Sequence, residues 1–408
     1  MLGAVIALGA CSSPPPPGAT PAPEPLTIGT LVPTTGDLAH LGPEQSAGIS
    51  LAVKEINAAG GVLGQPVTLV EGDSGDAYTT VASQTVDREL DKKVDAIVGA
   101  TGSSVTMEVI DKVVGAGVVL VSPGDTSDKL STYAAEGLYF RTVPPDVLQA
   151  KVLAGLLTAA GHRRVAVLHV RDVYGAGLTV DLSADVVSSG GRVVASVEYD
   201  GRGSATDFAA AVTQVRAARA DAVVIVGGGE SKAIIEELVR AGLGPSVVPL
   251  YLTDLNLSNT LLAGLPAGTL TGVVGTRAGA APSAAFLDAL AAQAPDLSDV
   301  GYAAQAYDAV MMIALAADAA GSTRSKAIAQ QLLQVGDGPT PCTSYAACLT
   351  LVKAARTIAY VGAAGPVPLG ANGTPTSGTI GVYRFGANGS YPLAAVDYVA
   401  GTVPLSTP

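Results

Sequence analysis

Aromatic and metal-ligating side chains are scarce in this 408-residue sequence. It contains no tryptophan, four phenylalanines and three histidines, which are His40, His162 and His169. These histidines are scattered, and with only three cysteines in the chain no metal-ligand spacing is present. We therefore expect no metal site, and we expect aromatic contacts with any ligand to come mainly from the 13 tyrosines.

Positive charge is also scarce. Charged residues make up 14% of the chain, the net charge is −12, and no cluster of lysine or arginine stands out. Nucleic-acid binding is therefore not expected, because it depends on a basic surface that neutralises phosphates. The hydrophobic content of 48% is sufficient for a large core, and the length favours two or three domains.

Familiar catalytic and cofactor-binding motifs are missing as well. The sequence has no Gly-x-Ser-x-Gly elbow, no P-loop, no His-x-x-x-His pair and no full dinucleotide fingerprint. The segment Gly115-Ala116-Gly117 precedes an apolar run rather than following one, so it does not occupy a phosphate-binding position. We therefore expect neither an enzyme nor a bound cofactor.

The N-terminus has the features of an export signal. Leu2 to Ala10 is uniformly apolar or small, and Leu8-Gly9-Ala10-Cys11 resembles the lipobox of bacterial lipoproteins, although no basic residue precedes the run. A chance cysteine in a hydrophobic leader is the alternative. We predict a lipoprotein signal segment over residues 1–10, lipidation at Cys11, and a Pro/Ala-rich tether over residues 11–25. The predicted location is extracytoplasmic, with a lipid anchor in the membrane.

The other two cysteines are close in sequence. Five residues separate Cys342 from Cys348. In an exported protein such a pair is most simply a local disulfide, and we predict one here.

The stretch from Ala96 to Thr126 has the pattern of a parallel βαβ unit. An apolar run ends in the turn 100–104, a helical pattern follows, and a second apolar run ends in the turn 122–126. Both turns then lie at the carboxyl edge of a sheet, where ligands of open α/β sheets bind. The N–H groups and the hydroxyls of Ser103 and Ser104 suit a small anion, although an ordinary helix N-cap is the alternative.

Strands and helices alternate along most of the chain, with one interruption near residues 140–146. This pattern predicts two α/β lobes, each a doubly wound sheet with helices on both faces. The C-terminal part is strand-like at Gly378–Phe385 and Tyr391–Val399. The carboxyl edges of the two sheets can face each other across a cleft that closes on a ligand.

Several sequence segments, in the same order along the chain, resemble segments of the type I substrate-binding proteins of ABC transporters, in the branched-chain amino-acid (Leu/Ile/Val-binding) group. They include INAAGGVLGQPV (56–67), VGATGSS (98–104), VSPGDTSDKL (121–130), FRTVPPDVLQA (140–150) and GYAAQAYDAV (301–310). The resemblance implies two Rossmann-like lobes joined by a three-strand hinge. The implied limits are 26–142 with 275–362 for the first lobe, and 143–274 with 363–408 for the second.

The resemblance also implies how a free amino acid binds. Ser103 and Ser104 match positions that hold the ligand carboxylate. The Gly124 carbonyl and the Thr126 hydroxyl match positions that contact the α-ammonium and carboxylate groups. From the second lobe, Tyr174 matches a tyrosine that closes over the ligand, and Asp254 falls where the family has an acidic partner for the ammonium. Hinge packing for Tyr174 and helix capping for Asp254 are the alternatives.

Two departures from the family pattern concern the side-chain pocket. Where Leu-binding members have an aromatic residue after a Gly-Gly turn, this chain has Gly229 followed by Glu230. Where they often have a tyrosine before the glycine of the first turn, this chain has Leu41. Loss of aromatic bulk is expected to reshape the pocket. The carboxylate of Glu230 near the rim favours a ligand with a polar or cationic group. The alternative is that Glu230 is a solvated charge.

The resemblance implies a monomeric binding protein that delivers a branched-chain or related amino acid to the membrane permease of an ABC importer. The alternative function is a ligand-sensing or regulatory module of the same fold, for an amide, a urea-like compound or another small polar ligand. The lipobox and tether favour the importer.

Overall fold

The computed structural model describes residues 23–404. The predicted signal segment, Cys11 and most of the predicted tether lie outside the described residues. The strands are β1 (Thr27–Leu31), β2 (Thr68–Val70), β3 (Ala96–Gly99), β4 (Val119–Ser122), β5 (Tyr139–Arg141), β6 (Arg164–Val170), β7 (Arg192–Tyr199), β8 (Ala222–Val226), β9 (Leu250–Leu252), β10 (Val274–Ala278), β11 (Thr340–Cys342), β12 (Ile358–Gly362), β13 (Gly365–Pro366), β14 (Ser377–Arg384) and β15 (Asp397–Thr402).

Helices connect most of these strands. They are α1 (Gly42–Ala58), α2 (Val81–Asp91), α3 (Ser103–Gly115), α4 (Asp146–Ala159), α5 (Val173–Ser188), α6 (Ala205–Ala218), α7 (Ser231–Arg240), α8 (Ala284–Gln293), α9 (Ala303–Ala320), α10 (Ser325–Val335) and α11 (Tyr345–Lys353). Short 3-10 helices cover Ala39–Leu41, Asp128–Thr132 and Asp254–Asn256.

The first sheet is wholly parallel, in the order β2-β1-β3-β4-β5. Strands β1, β3, β4 and β5 are largely buried, whereas the edge strand β2 is partly exposed. Ala96 and Val98 of β3 face a core layer built with α1 and α9, whereas Ile97 faces a layer built with α2 and α3. This alternation is the period-2 pattern of a strand between two helical layers.

Helix α9 is the most deeply buried helix of the first lobe, and it packs against α1. The two helices approach closely at Gly48, where an added Cβ would lie 2.1 Å from the Ala303 carbonyl oxygen. Only glycine fits at such a contact, so Gly48 fixes how closely α1 lies against α9.

The second sheet has the order β15-β14-β10-β9-β8-β6-β7. Its strands from β10 to β7 are parallel, and β14 and β15 are antiparallel additions at one edge. Helices α4 to α7 supply its core layers. The prediction of an α/β protein with two doubly wound lobes is confirmed.

The chain passes between the lobes at residues 142–145, 279–283 and 367–376. Strand β10 spans the limit predicted at residues 274 and 275, and it pairs with β9 and β14 in the second sheet. A small third sheet, β11-β12-β13, lies beside the helices of the first lobe.

One predicted strand was wrong in its position. The expectation was Tyr391–Val399, but the last strand of the described part is Asp397–Thr402. Tyr391 instead lies in a loop, where its ring packs edge-on against Tyr383 and Phe385. Its hydroxyl donates to the Leu257 carbonyl at 2.9 Å. The buried ring and the hydrogen-bonded hydroxyl stabilise this loop, which makes no strand pairing.

Candidate functional site in the interlobe cleft

Turns that follow parallel strands of both sheets meet in one place. They come after β1, β2 and β3 in the first lobe, and after β6, β8 and β9 in the second, and they enclose a cavity of about 30 Å³. The walls include Asp37, Tyr78 and Ser104 from the first lobe, and Asp172, Tyr174 and Glu230 from the second. A larger groove of about 410 Å³ lies at the crossover strands, but the carboxyl ends of the strands converge on the small cavity, where ligands of such sheets bind.

Ser103 and Ser104 begin α3 directly after the turn that follows β3. Ser103 is buried, and its Oγ accepts a hydrogen bond from the Ser127 backbone N–H at 3.1 Å. Ser104 lines the cavity, and its Oγ donates to Asp172 Oδ2 at 3.0 Å. Ser104 Oγ also accepts from the Val173 N–H at 3.3 Å. Ser104 thus connects the two lobes directly.

Gly124 and Thr126 lie in the neighbouring turn after β4. The Gly124 N–H donates to Ser122 Oγ at 3.2 Å. Thr126 is buried, and its carbonyl accepts from the Asp146 N–H at 2.7 Å. The structure therefore brings Thr126 beside the start of α4, at the first crossing between the lobes.

Tyr174 and Asp254 form a buried network in the second lobe. The Tyr174 hydroxyl donates to Asp254 Oδ1 at 2.6 Å and lies 2.7 Å from Thr253 Oγ1. From the first lobe, the Tyr302 hydroxyl donates to Asp254 Oδ2. Burial raises the pKa of the Asp254 carboxyl, and the two tyrosine hydroxyls oppose this effect by stabilising the charged form.

Of the predicted ligand-binding residues, Ser104, Tyr174 and Glu230 line the cavity. The others do not line it: Ser103, Gly124, Thr126, Asp254, Gly229 and Leu41. Glu230 Oε1 accepts from the Tyr199 hydroxyl at 2.7 Å and from the Gly228 N–H at 3.0 Å. Gly229 lies where the lobes touch, since an added Cβ would be 2.4 Å from the Asp37 carbonyl oxygen. Leu41 is buried within the core cluster of the second lobe.

Sequence reasoning missed two acidic residues of the cleft, Asp37 and Asp172. Each lies in a short turn after a strand, where ligand-binding residues of such sheets occur, and this position could have identified them from the sequence. Burial, followed by the charges of Glu230 and Asp76, raises the pKa of Asp37 to about 7. Burial also raises the pKa of Asp172, although its bonds to the Gly175 N–H and to Ser104 act in the opposite direction.

A third missed residue is Asp146, the first residue of α4. Its side chain is completely buried beside Thr126. The Thr126 hydroxyl is close enough to favour the charged form, but neither carboxylate oxygen has a hydrogen-bond partner of normal geometry among residues 23–404. Burial, and after it the charge of Asp254, raises the pKa of Asp146 well above its ordinary value.

Cys342 and Cys348 are joined by a disulfide between β11 and α11.

Among residues 23–404, no group of three or more His, Cys, Asp or Glu side chains is arranged to hold a metal ion. Within the same range, no helix combines the length and the apolar character that a bilayer crossing requires.

Comparison with known proteins gives the class to which this architecture belongs. The sequence matches the family model described as "Periplasmic binding protein" over residues 25–389. It is 32% identical over 321 residues to Leu/Ile/Val-binding protein homolog 3 of Brucella melitensis biotype 1, covering 76% of this chain and 83% of the relative. The chain therefore belongs to the periplasmic binding protein family.

Two further likenesses cover most of the chain. The chemotactic signal transduction system substrate-binding protein BasB of Halobacterium salinarum is 29% identical over 368 residues, which is 87% of this chain and 86% of the relative. The branched-chain amino acid transporter substrate-binding protein LivJ of Streptococcus pneumoniae, solved in complex with isoleucine, has a TM-score of 0.75 at 24% identity. That match covers 93% of this chain and 100% of LivJ, and it shows the shared fold. The predicted resemblance to the branched-chain amino-acid group is confirmed.

Proposed function

We propose that this chain is the substrate-binding component of an ABC importer, which captures a free amino acid between two closing lobes and delivers it to the permease. The observation that supports this function most is the meeting of hydroxyl and carboxylate side chains from both lobes at one cavity. We further propose an extracytoplasmic, monomeric protein with a lipid anchor at Cys11. Its lobes have the limits that the resemblance implies, except that β10 belongs whole to the second lobe.

The proposed clamp uses groups that every α-amino acid can satisfy. Ser103, Ser104 and Thr126 supply hydroxyls and a helix N-terminus for the carboxylate. Asp254 supplies the negative charge for the ammonium, with Tyr174 and Tyr302 orienting its two oxygens. A buried carboxylate without a paired cation gains most from a cationic ligand group, because burial has already removed its water.

Binding requires the lobes to separate and close again. A cavity of about 30 Å³ is close to the volume of a single water molecule and is too small for an amino acid. In the closed arrangement, Ser104 bonds Asp172 and His40 Nε2 lies 3.0 Å from the Leu255 carbonyl, and both contacts join the lobes. The three crossing segments provide the hinge.

A thermal-shift screen of the free amino acids tests the proposal. The expected result is a rise in the unfolding midpoint with at least one amino acid. We expect a micromolar Kd, which corresponds to a binding free energy of about −8 kcal/mol. The absence of a shift with every amino acid would refute the proposed function.

The variant Asp254→Asn tests the ammonium partner. We expect affinity for the best amino acid to fall by about 2–5 kcal/mol, as when one member of a buried charge pair is removed. Calorimetry measures the change. Asp288→Asn, on the exposed face of α8, is the matched control and is expected to bind normally. Unchanged affinity in Asp254→Asn would remove this residue from the site.

A sensory role is the second candidate, and the likeness to BasB favours it. Both roles share the ligand step and differ in the membrane partner. Crosslinking of the full chain in its native membrane, followed by mass spectrometry, distinguishes them: an ABC permease supports the importer, and a signal-transducing receptor supports the sensor.

A further inference from the structure

The interlobe cavity is lined by carboxylates from both lobes. Asp37 comes from the first lobe, and Asp172 and Glu230 come from the second. Asp76 lies beside them, since its Oδ2 accepts from the Asp37 N–H at 3.3 Å. In the part of the chain that the structure describes, no lysine or arginine lines this cavity.

Two arginines that lie close to lining residues, Arg171 and Arg202, are held outside the cavity. Arg171 forms an ion pair with Glu198 at 2.7 Å. Arg202 is exposed, stacks over the Tyr78 ring at 4.7 Å from its centroid, and lies 3.6 Å from Asp200. The lining carboxylates therefore face one another without a cation between them. This arrangement explains why burial and mutual repulsion raise the pKa of Asp37 to about 7.

A second, separate observation lies behind the cavity wall, near Asp254, which accepts a hydrogen bond from the cavity-lining Tyr174. Asp146 is completely buried beside Thr126, and neither of its oxygens has a hydrogen-bond partner of normal geometry among the described residues. Asp146 also lies close enough to Asp254 for the two charges to repel each other. A buried carboxylate in this state requires either a proton or a cationic partner.

The number of carboxylates exceeds what a neutral amino acid can balance. A zwitterion with an uncharged side chain brings one ammonium and one carboxylate, so its net charge is zero. If that ammonium pairs with the acids near Asp254, Asp172 and Glu230 keep their neutral hydrogen-bond donors, but no positive charge compensates Asp37, Asp172 and Glu230. A second positive charge on the ligand side chain would compensate them.

We propose that the cleft selects an amino acid with a positively charged side chain, of the arginine or lysine class. Its α-ammonium and carboxylate groups bind at Asp254, Ser103 and Thr126, and its side-chain cation lies between Asp37 of one lobe and Glu230 of the other. This selectivity rests on the proposed function, because it assumes that the cleft takes a free amino acid.

Calorimetry with matched ligand pairs tests the charge without changing the protein. Arginine is compared with citrulline, its uncharged near-isostere, and lysine with norleucine. We expect each cationic member to bind at least about tenfold more tightly than its neutral partner. Equal or tighter binding of citrulline, norleucine or leucine overturns the selectivity and leaves the proposed function standing. Failure of every amino acid to bind overturns both.

Variants on the two lobes then locate the selectivity. Glu230→Gln and, separately, Asp37→Asn are each expected to lower the ratio of arginine to citrulline affinity by at least about fivefold. Glu198→Gln removes an exposed carboxylate of the same lobe that pairs with Arg171, and it is expected to leave the ratio unchanged. An unchanged ratio in both cleft variants, with normal folding by circular dichroism, contradicts the assignment.

Discussion

Glu89 provides a test of the electrostatics of the first lobe. It lies on α2 with a side chain that is 1% exposed, and it packs against Gly29 and Gly72. Its oxygens are buried and have no hydrogen-bond partner of normal geometry among residues 23–404, although the Thr30 backbone favours the charged form. Burial raises the pKa of Glu89 from 4.5 to about 8. We expect Glu89→Gln to stabilise the protein in alkaline solution.

The sign follows from proton linkage. Between about pH 4.5 and about pH 8, the folded protein retains a proton on Glu89 that the unfolded chain has released. The contribution of Glu89 to the free energy of unfolding therefore falls as the pH rises through this window. Each pKa unit corresponds to about 1.36 kcal/mol, so the full effect is roughly 3–5 kcal/mol. The neutral glutamine has nearly the same shape and no such dependence. The variant and the parent should therefore have similar stability near pH 4.5 and differ most above pH 8.

Urea denaturation followed by far-ultraviolet circular dichroism measures this difference, since the chain has no tryptophan for fluorescence. Glu71→Gln is the matched control, because Glu71 is an exposed acid of the same lobe. The control is expected to remain within about 0.5 kcal/mol of the parent at every pH. A difference between Glu89→Gln and the parent that does not change with pH would refute the reasoning.

Two further predictions concern the lobe contact and the disulfide. Ser104→Ala removes the bond to Asp172 across the cleft, which costs the closed form about 1–2 kcal/mol. Small-angle scattering should show a larger radius of gyration without ligand, and an unchanged radius would contradict this role. Reduction of the bond between Cys342 and Cys348 releases a short loop and should cost about 2 kcal/mol of stability in urea denaturation. An unchanged midpoint would show that the bond contributes nothing.

The features predicted correctly from the sequence are those set by local patterns. The apolar run at Ala96, the turn at Ser103 and the helix that follows were readable because strand and helix periodicity is encoded over a few residues. The small sheet containing Thr340–Cys342 was not predicted, because a three-residue strand with a central proline carries no periodic signal.

Apart from Glu230 near the rim, the acidic residues around the cleft were not predicted, for a different reason. Asp37 and Glu230 are 193 positions apart in the sequence, and their proximity exists only because two separate sheets present their carboxyl edges to each other. Likewise, nothing near Asp146 in the sequence shows that its carboxylate is buried without a normal partner. Contacts of this kind depend on the relative placement of the lobes, which local periodicity does not specify.

The central claim is that the cleft binds the α-ammonium and α-carboxylate groups that define a free amino acid. The most direct measurement is calorimetric titration of the refolded full chain with its best amino acid, the N-acetyl derivative and the carboxamide derivative. The two derivatives are expected to bind at least about thirtyfold more weakly, because each removes one partner of a charged contact. Binding of either derivative as tightly as the parent amino acid would contradict the account.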